Sequence, residues 1–317
     1  MNKKREQAIY STTEQIHTLQ STLDHIGAYV FSKDLQGRYT FVNQKVRDLF
    51  DYPLAEIIGY DDSKFFSLEH ANDLMKNDNI VMQQGKTINE EECNVIAKTG
   101  ETRYYITVKK PLLDSDNAII GMIGVSTDVT EIKQTELQKT TQSEIMSHIV
   151  NKAPLRTILS LLATSIEKQS PSAKCSILLI DDSGNHLLVG AAPSLPDFYN
   201  DAIDGMEIGD GEGSCGTAAF TKKRVIVEDI ATHPYWADFG DLAAQAQLGS
   251  CWSEPILSQD GKLLGTFAIY HEDAASPNEN HFKLIEFATQ LATVAIEQHF
   301  FLKQQQLFEQ IYDNSTD

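Results

Sequence analysis

Four cysteines, Cys93, Cys175, Cys215 and Cys251, carry the most reactive side chains of the sequence. A thiolate can attack an electrophile, bind a soft metal or form a disulfide. Their wide separation and the lack of any C-x-x-C spacing argue against a zinc knuckle or a dense disulfide framework, and no metal site is expected. Cys215 lies within a glycine cluster, Gly209, Gly211, Gly213 and Gly216, and Cys251 directly precedes Trp252. These two are the redox candidates. The neighbours Asp210 and Glu212 disfavour a thiolate at Cys215, so packing is the stronger expectation for both. The same acids would repel phosphate, and the cluster does not follow a strand of a βαβ unit, so it is no nucleotide-binding fingerprint. His148, in Met146–Leu155, sits where a phospho-accepting histidine could, but no acidic residue follows it, and it reads as one polar residue on a linker helix.

These residues must be positioned by elements that the spacing outlines. Ala28–Ser32, the turn Asp34–Gly37 and Arg38–Val42 read as a hairpin, followed by helical spacing over Gln44–Phe50 and Leu68–Gln84, the latter ended by Gly85. Three strands, Ile88–Ala97, Thr102–Pro111 and Ala118–Thr127, follow with short turns, which makes antiparallel neighbours the simplest topology. Glu131 to about Gln169 is helical with Pro154 as its interruption, and the domain junction is placed near Thr140. Two further hairpins follow, Cys175–Ile180 with His186–Gly190 and Cys251–Leu257 with Leu263–Tyr270. Between them lies a long connection, Pro193–Gly249, containing a strand at Arg224–Glu228. Connections this long are commonly functional. Apolar residues from Phe282 to Leu302 predict a long amphipathic helix over Asn278 to about Tyr312.

The chain has 317 residues, 41% hydrophobic, which is enough for about two domains, each with its own core. Its formal charge of −19 divides into −5 before residue 135 and −14 after it. That charge repels nucleic acid and anionic lipid, so neither is an expected partner. No stretch approaches a spanning helix and no signal peptide follows Met1, so a cytoplasmic location without membrane insertion is expected.

The first half resembles a PAS sensory domain. The resemblance rests on Asp34-x-x-Gly37 with Tyr39-x-Phe41-x-Asn43, on Ile58-Gly59, on the Gly100-Glu101 turn before Arg103, and on the exit Gly124-Val125-Ser126-Thr127-Asp128-Val129-Thr130-Glu131. In that family the final Asp-x-Thr joins sheet to output helix, which assigns signal transmission to Asp128 and Thr130. Residues from about 145 to 300 look like a GAF domain. This likeness rests on Gly211–Ala219, Val227-x-Asp229-Ile230, His233-Pro234-x-Trp236, Cys251-Trp252-Ser253-x-Pro255-Ile256 and Gly265–Ala268. The variant is similar to those in proteins that make or degrade cyclic di-GMP and in some sensor histidine kinases.

The resemblances imply an α+β chain of two sensory domains, each a central antiparallel sheet with flanking helices. The expected segments are a helical lead-in over 1–18, PAS over 19–131, a linker helix over 132–144, GAF over 145–300 and an output or linker helix over 301–317. The PAS pocket is expected to be bounded by Tyr29, Phe41, Phe65, Phe66 and Met82, and the GAF pocket by Cys215, Phe220, Trp236 and Trp252. The ligand is not identified, and no haem, flavin or bilin is expected. His70 opens its helix instead of lying within it, Cys93 falls on a strand, and neither Cys215 nor Cys251 precedes a histidine. A homodimer through the long helices is expected. No cyclase, phosphodiesterase or ATP-lid motif is present, so this stretch is read as non-enzymatic and upstream of a cyclic di-GMP output. Leu307–Ser315 reads like the PAS entry Leu19–Gly27, which suggests that another domain follows. The alternatives are the sensory part of a histidine kinase, a free methionine sulfoxide reductase-like enzyme using Cys215, and a dimerisation scaffold.

Overall fold

The computed structural model describes residues 2–98, 102–170 and 172–314. The Gly100-Glu101 turn, the His70 side chain and residues 315–317 lie outside the described residues. The chain divides into two compact units, Met1–Gln134 and Thr135–Asp317, with the division a few residues before the expected junction at Thr140.

In the first unit, α1 (Asn2–His25) precedes the hairpin of β1 (Tyr29–Asp34) and β2 (Tyr39–Val42). Asp34 closes the hairpin turn by accepting from the backbone N–H groups of Gln36 and Arg38. Then come α2 (Gln44–Phe50), α3 (Leu54–Ile57), a 3₁₀ turn at Asp62–Lys64, and α4 (Leu68–Gln84). Asn43 caps α2 through a bond from the Val46 N–H, and Gly85 at φ +65° ends α4. The strands β3 (Ile88–Val95), β4 (Thr102–Leu113) and β5 (Ile119–Asp128) complete an antiparallel sheet of order β2-β1-β5-β4-β3. One face of this sheet packs under α2 and α4 around Phe31, Tyr39, Phe50, Phe65, Phe66 and Met122.

The second unit takes in α5 (Thr130–Val150), which runs on from β5 across the division, and α6 (Leu155–Gln169), which begins after Pro154. Its elements continue as β6 (Lys174–Ile180), β7 (His186–Ala191), α7 (Asp197–Ile203), β8 (Met206–Glu207), α8 (Gly213–Thr221), β9 (Val225–Val227), α9 (Gly240–Gln245), β10 (Ser250–Leu257), β11 (Leu263–His271) and α10 (Glu279–Asn314). The antiparallel sheet has the order β8-β7-β6-β11-β10-β9. Every residue of β11 is buried because both faces of the sheet are covered. On one face α6 and α10 pack against Cys175, Ile177, Trp252, Ile256, Phe267 and Ile269. On the other, α7 and α8 pack against Leu178, Cys251, Ala268 and Tyr270.

The long connection read from the sequence is therefore largely structured. It contains α7, β8, α8, β9, a 3₁₀ turn at Pro234–Trp236 and α9; of the glycine cluster, Gly213 and Gly216 lie in α8, while Gly209 and Gly211 precede it. Among the described residues, no helix is long and apolar enough to cross a membrane.

Candidate sensory cavities and the exit from the sheet

The strand period directs alternate residues of the first sheet inward. Tyr29, Phe31 and Lys33 of β1, Tyr105, Thr107 and Lys109 of β4, and Glu92 and Asn94 of β3 all face the same side and are buried. Between them and the helices is a cavity of about 40 Å³, with Tyr29, Phe66, Tyr105, Lys33, Glu92 and Asn94 among its walls.

One side of this cavity is a buried ion-pair chain. Lys33 Nζ donates to Asp62 Oδ2 at 2.5 Å and to Asp78 Oδ2 at 2.6 Å. Lys109 Nζ lies 2.9 Å from Asp78 Oδ1 and 2.7 Å from Glu92 Oε1, as ion pairs off hydrogen-bond angles. Tyr39 donates its O–H to Asp62 Oδ1 at 2.6 Å. Burial works against the Lys33 ammonium, but the Asp62 and Asp78 carboxylates more than offset it and hold its pKa above the ordinary value. Burial likewise pushes the Asp78 carboxyl up, and Lys33 and Lys109 outweigh it, so Asp78 stays ionised to lower pH than usual. Burial, then Asp62, keeps the Tyr39 phenol protonated well into the alkaline range.

A short relay leads from the cavity wall to α5. Tyr29 packs edge-on against Tyr105 at 5.4 Å, and its O–H lies 3.5 Å from Arg103 Nη1, which donates to Asp128 Oδ2 at 3.2 Å. Asp128 Oδ1 accepts from the Thr130 N–H at 2.9 Å, and Thr130 Oγ1 accepts from the Tyr104 N–H at 3.0 Å. Asp128 therefore caps the start of α5 while pairing with β4.

The second unit has a smaller cavity of about 20 Å³, bounded by Cys215 of α8, Trp236, Tyr199, Tyr270, Met206 and Phe239. Trp236 Nε1 donates to Ser214 Oγ at 2.9 Å, and Ser253 Oγ donates to Cys215 Sγ at 3.5 Å. The neighbouring Cys251 thiol, then hydrogen bonds from Ser253 and Tyr270, overcome burial and bring the Cys215 thiol down to about 6. Cys215 also lies in the first turn of α8, where the helix dipole favours an anion. These directions run opposite to the expectation that the acidic loop disfavours a thiolate. Burial and the neighbouring Cys215 push the Cys251 thiol well up, so Cys215 is the more acidic thiol of the pair.

Of the residues expected to line the first cavity, Tyr29 and Phe66 do so. Phe65 is buried in the core, stacked on Phe50 at 4.3 Å, and Met82 is core beside it. Phe41 is half-buried on β2, opposite Ser32 and off the cavity. In the second unit Cys215 and Trp236 line the cavity. Phe220 instead lies on the outer side of α8, 58% exposed. Trp252 points to the opposite sheet face from Cys251, as adjacent strand residues must, and its Nε1 donates to the Ala275 carbonyl at 3.2 Å. The sequence reading missed Lys33, Asp62, Asp78, Glu92, Asn94 and Lys109. The signal available was the inward period of β1 and β4, which continues from aromatic residues onto lysines. Among the described residues, no group of three or more His, Cys, Asp or Glu is placed to hold a metal.

Residues 23–134 match a family model described as PAS fold, and residues 152–297 one described as GAF domain. The chain is 28% identical over 331 residues to the methyl sulfide methyltransferase-associated sensor of Methanosarcina acetivorans, a match covering 99% of this chain and 32% of that protein. It is 28% identical over 145 residues to a diguanylate cyclase of Vibrio cholerae, covering 45% of each. A shorter match, 42% identical over 59 residues, is to the free methionine-R-sulfoxide reductase of Saccharomyces cerevisiae, covering 19% of this chain and 30% of that protein. The chain thus spans less than half the length of each of these relatives. It is a PAS domain followed by a GAF domain, and the pair makes a sensory regulatory module.

Proposed function

We propose that the PAS unit senses a small molecule in its cavity and passes occupancy to α5, and that the intact protein couples this signal to cyclic di-GMP synthesis or degradation. The observation carrying this reading is the relay from Tyr29 through Arg103 and Asp128 to Thr130, which ties the cavity wall to the first turn of the helix leaving the sheet. A ligand moves such an element only if it binds two arrangements of the wall with different affinity. The diguanylate cyclase relative supports the choice of output. In this reading the protein works in the cytoplasm as a homodimer, with α5 and α10 as the pairing helices. Native mass spectrometry of the purified chain tests it. A dimer carrying a small molecule is expected, and a monomer with no added mass and no stabilising metabolite contradicts it.

A second reading has one observation in its favour. The lowered Cys215 thiol beside Cys251 is suited to two-electron redox chemistry, in which methionine sulfoxide would be reduced to methionine with release of water as two thiols are oxidised to a disulfide, an external dithiol would reduce that disulfide, and Cys215→Ser would lose the activity. Absence of turnover by the unaltered chain contradicts it.

A further inference from the structure

The ion-pair chain beside the PAS cavity is not charge-balanced. Asp62, Lys33, Asp78, Lys109 and Glu92 alternate in sign, three carboxylates against two ammonium groups, and none is more than 8% exposed. Acids stand at both ends. At the Asp62 end both carboxylate oxygens are engaged, by Tyr39 and Lys33. At the other end Glu92 Oε1 meets Lys109 at 2.7 Å and the Asn77 amide at 3.5 Å, while Glu92 Oε2 has no partner among the described residues.

Asn94 provides a second, independent observation. It lies two residues beyond Glu92 on the same inward face of β3, is 5% exposed, lines the cavity, and its side-chain amide has no partner among the described residues. Neither Glu92 Oε2 nor the Asn94 amide is fully enclosed, so both keep surface on which a ligand can bond. Lys109 Nζ, by contrast, has essentially no accessible surface, so the charged atom open to the cavity at this end is an acceptor. The surrounding wall is aromatic: Tyr105 stands opposite Glu92 in the β3–β4 register, with Tyr29 packed edge-on against it. Ring faces attract cations.

We propose that the PAS cavity takes a small organic ammonium ion, whose N–H groups donate to Glu92 Oε2 and Asn94 Oδ1 while its alkyl part lies against Tyr29, Tyr105 and Phe66. The ligand supplies the positive charge that the five-residue chain lacks. At about 40 Å³ the cavity has room for the equivalent of roughly three waters, which limits the ligand to about four non-hydrogen atoms. This inference rests on the sensory reading above and names the ligand class for that same site.

Isothermal titration of the intact chain with ethylammonium, 1-propanol and acetate compares a cation, a neutral molecule and an anion of similar size. Ethylammonium is expected to bind at millimolar concentration or tighter and the other two not to bind. Glu92→Gln should weaken ethylammonium binding at least about tenfold and Asn94→Leu about fivefold, the latter leaving every ion pair in place. Asn94→Asp should tighten it, a gain that misfolding cannot imitate. Binding of 1-propanol or acetate as tightly as ethylammonium, or ethylammonium binding indifferent to all three substitutions, overturns the ammonium assignment. A chain that takes none of the probes but carries a co-purified molecule without an ammonium group overturns that assignment alone, and a co-purified organic ammonium upholds it. One that takes none and carries none overturns the sensory reading as well.

Discussion

Lys33 bridges two buried carboxylates, so replacing it leaves both uncompensated in a low-dielectric interior. Lys33→Met is expected to lower unfolding free energy by about 3–5 kcal/mol, measured by urea denaturation, and a loss below about 1 kcal/mol would contradict the ion-pair account. The pH dependence follows from the directions of the shifts. The Lys33 pKa is raised, so its contribution is complete below the ordinary 10.5 and is lost as pH rises through the folded value. The Asp78 pKa is lowered, so its contribution is present above the ordinary 3.8 and is lost as pH falls through the folded value. Urea midpoints across pH should therefore fall at both extremes, and Lys33→Met should shrink the alkaline limb without abolishing it, because the raised Tyr39 phenol and Cys251 thiol also lose stability as pH rises. In the second cavity, alkylation of Cys215 by iodoacetamide should rise with pH about a midpoint near 6, with Cys251 unreactive at neutral pH. A common midpoint in the ordinary thiol range would mean that Cys251 and the Ser253 and Tyr270 hydrogen bonds do not hold a thiolate.

The hairpins and long helices were legible because period and punctuation agree. Asp34–Gly37 gives turn chemistry between alternating strands, and Pro154 and Gly85 mark helix boundaries. The helix α8 was not legible because Gly213 and Gly216 are poor helix formers, and it exists through its packing on β10 and β11, which local propensity does not record. The cavity was legible at Tyr29, Phe66, Cys215 and Trp236, whose size suits a core wall. Its charged side was not, because lysine and glutamate on strands read as solvent-facing until the partners from the Asp62 turn and α4 are known. One backbone position controls the wall itself. A Cβ at Gly124 of β5 would stand 2.3 Å from the Phe31 ring, so Gly124→Ala must displace that ring. We expect a loss of about 1–3 kcal/mol in thermal or urea unfolding, together with altered ligand affinity. An unchanged affinity would place Phe31 outside the binding wall.

The whole molecule has two sensory units with separate cores and a helix that begins at the PAS sheet and continues into the GAF unit. The net charge of −19 disfavours polyanionic partners, in keeping with small-molecule input. In the sensory reading, cavity occupancy reaches α5 through Tyr29, Arg103 and Asp128. The most direct test is hydrogen–deuterium exchange of the intact chain with and without saturating ligand, in the unaltered protein and in Asp128→Ala. The account predicts that ligand changes exchange at the cavity strands and in the first turns of α5, and that Asp128→Ala keeps the first change and abolishes the second. A ligand effect confined to the strands of the unaltered protein, or one that reaches α5 equally without Asp128, would contradict it.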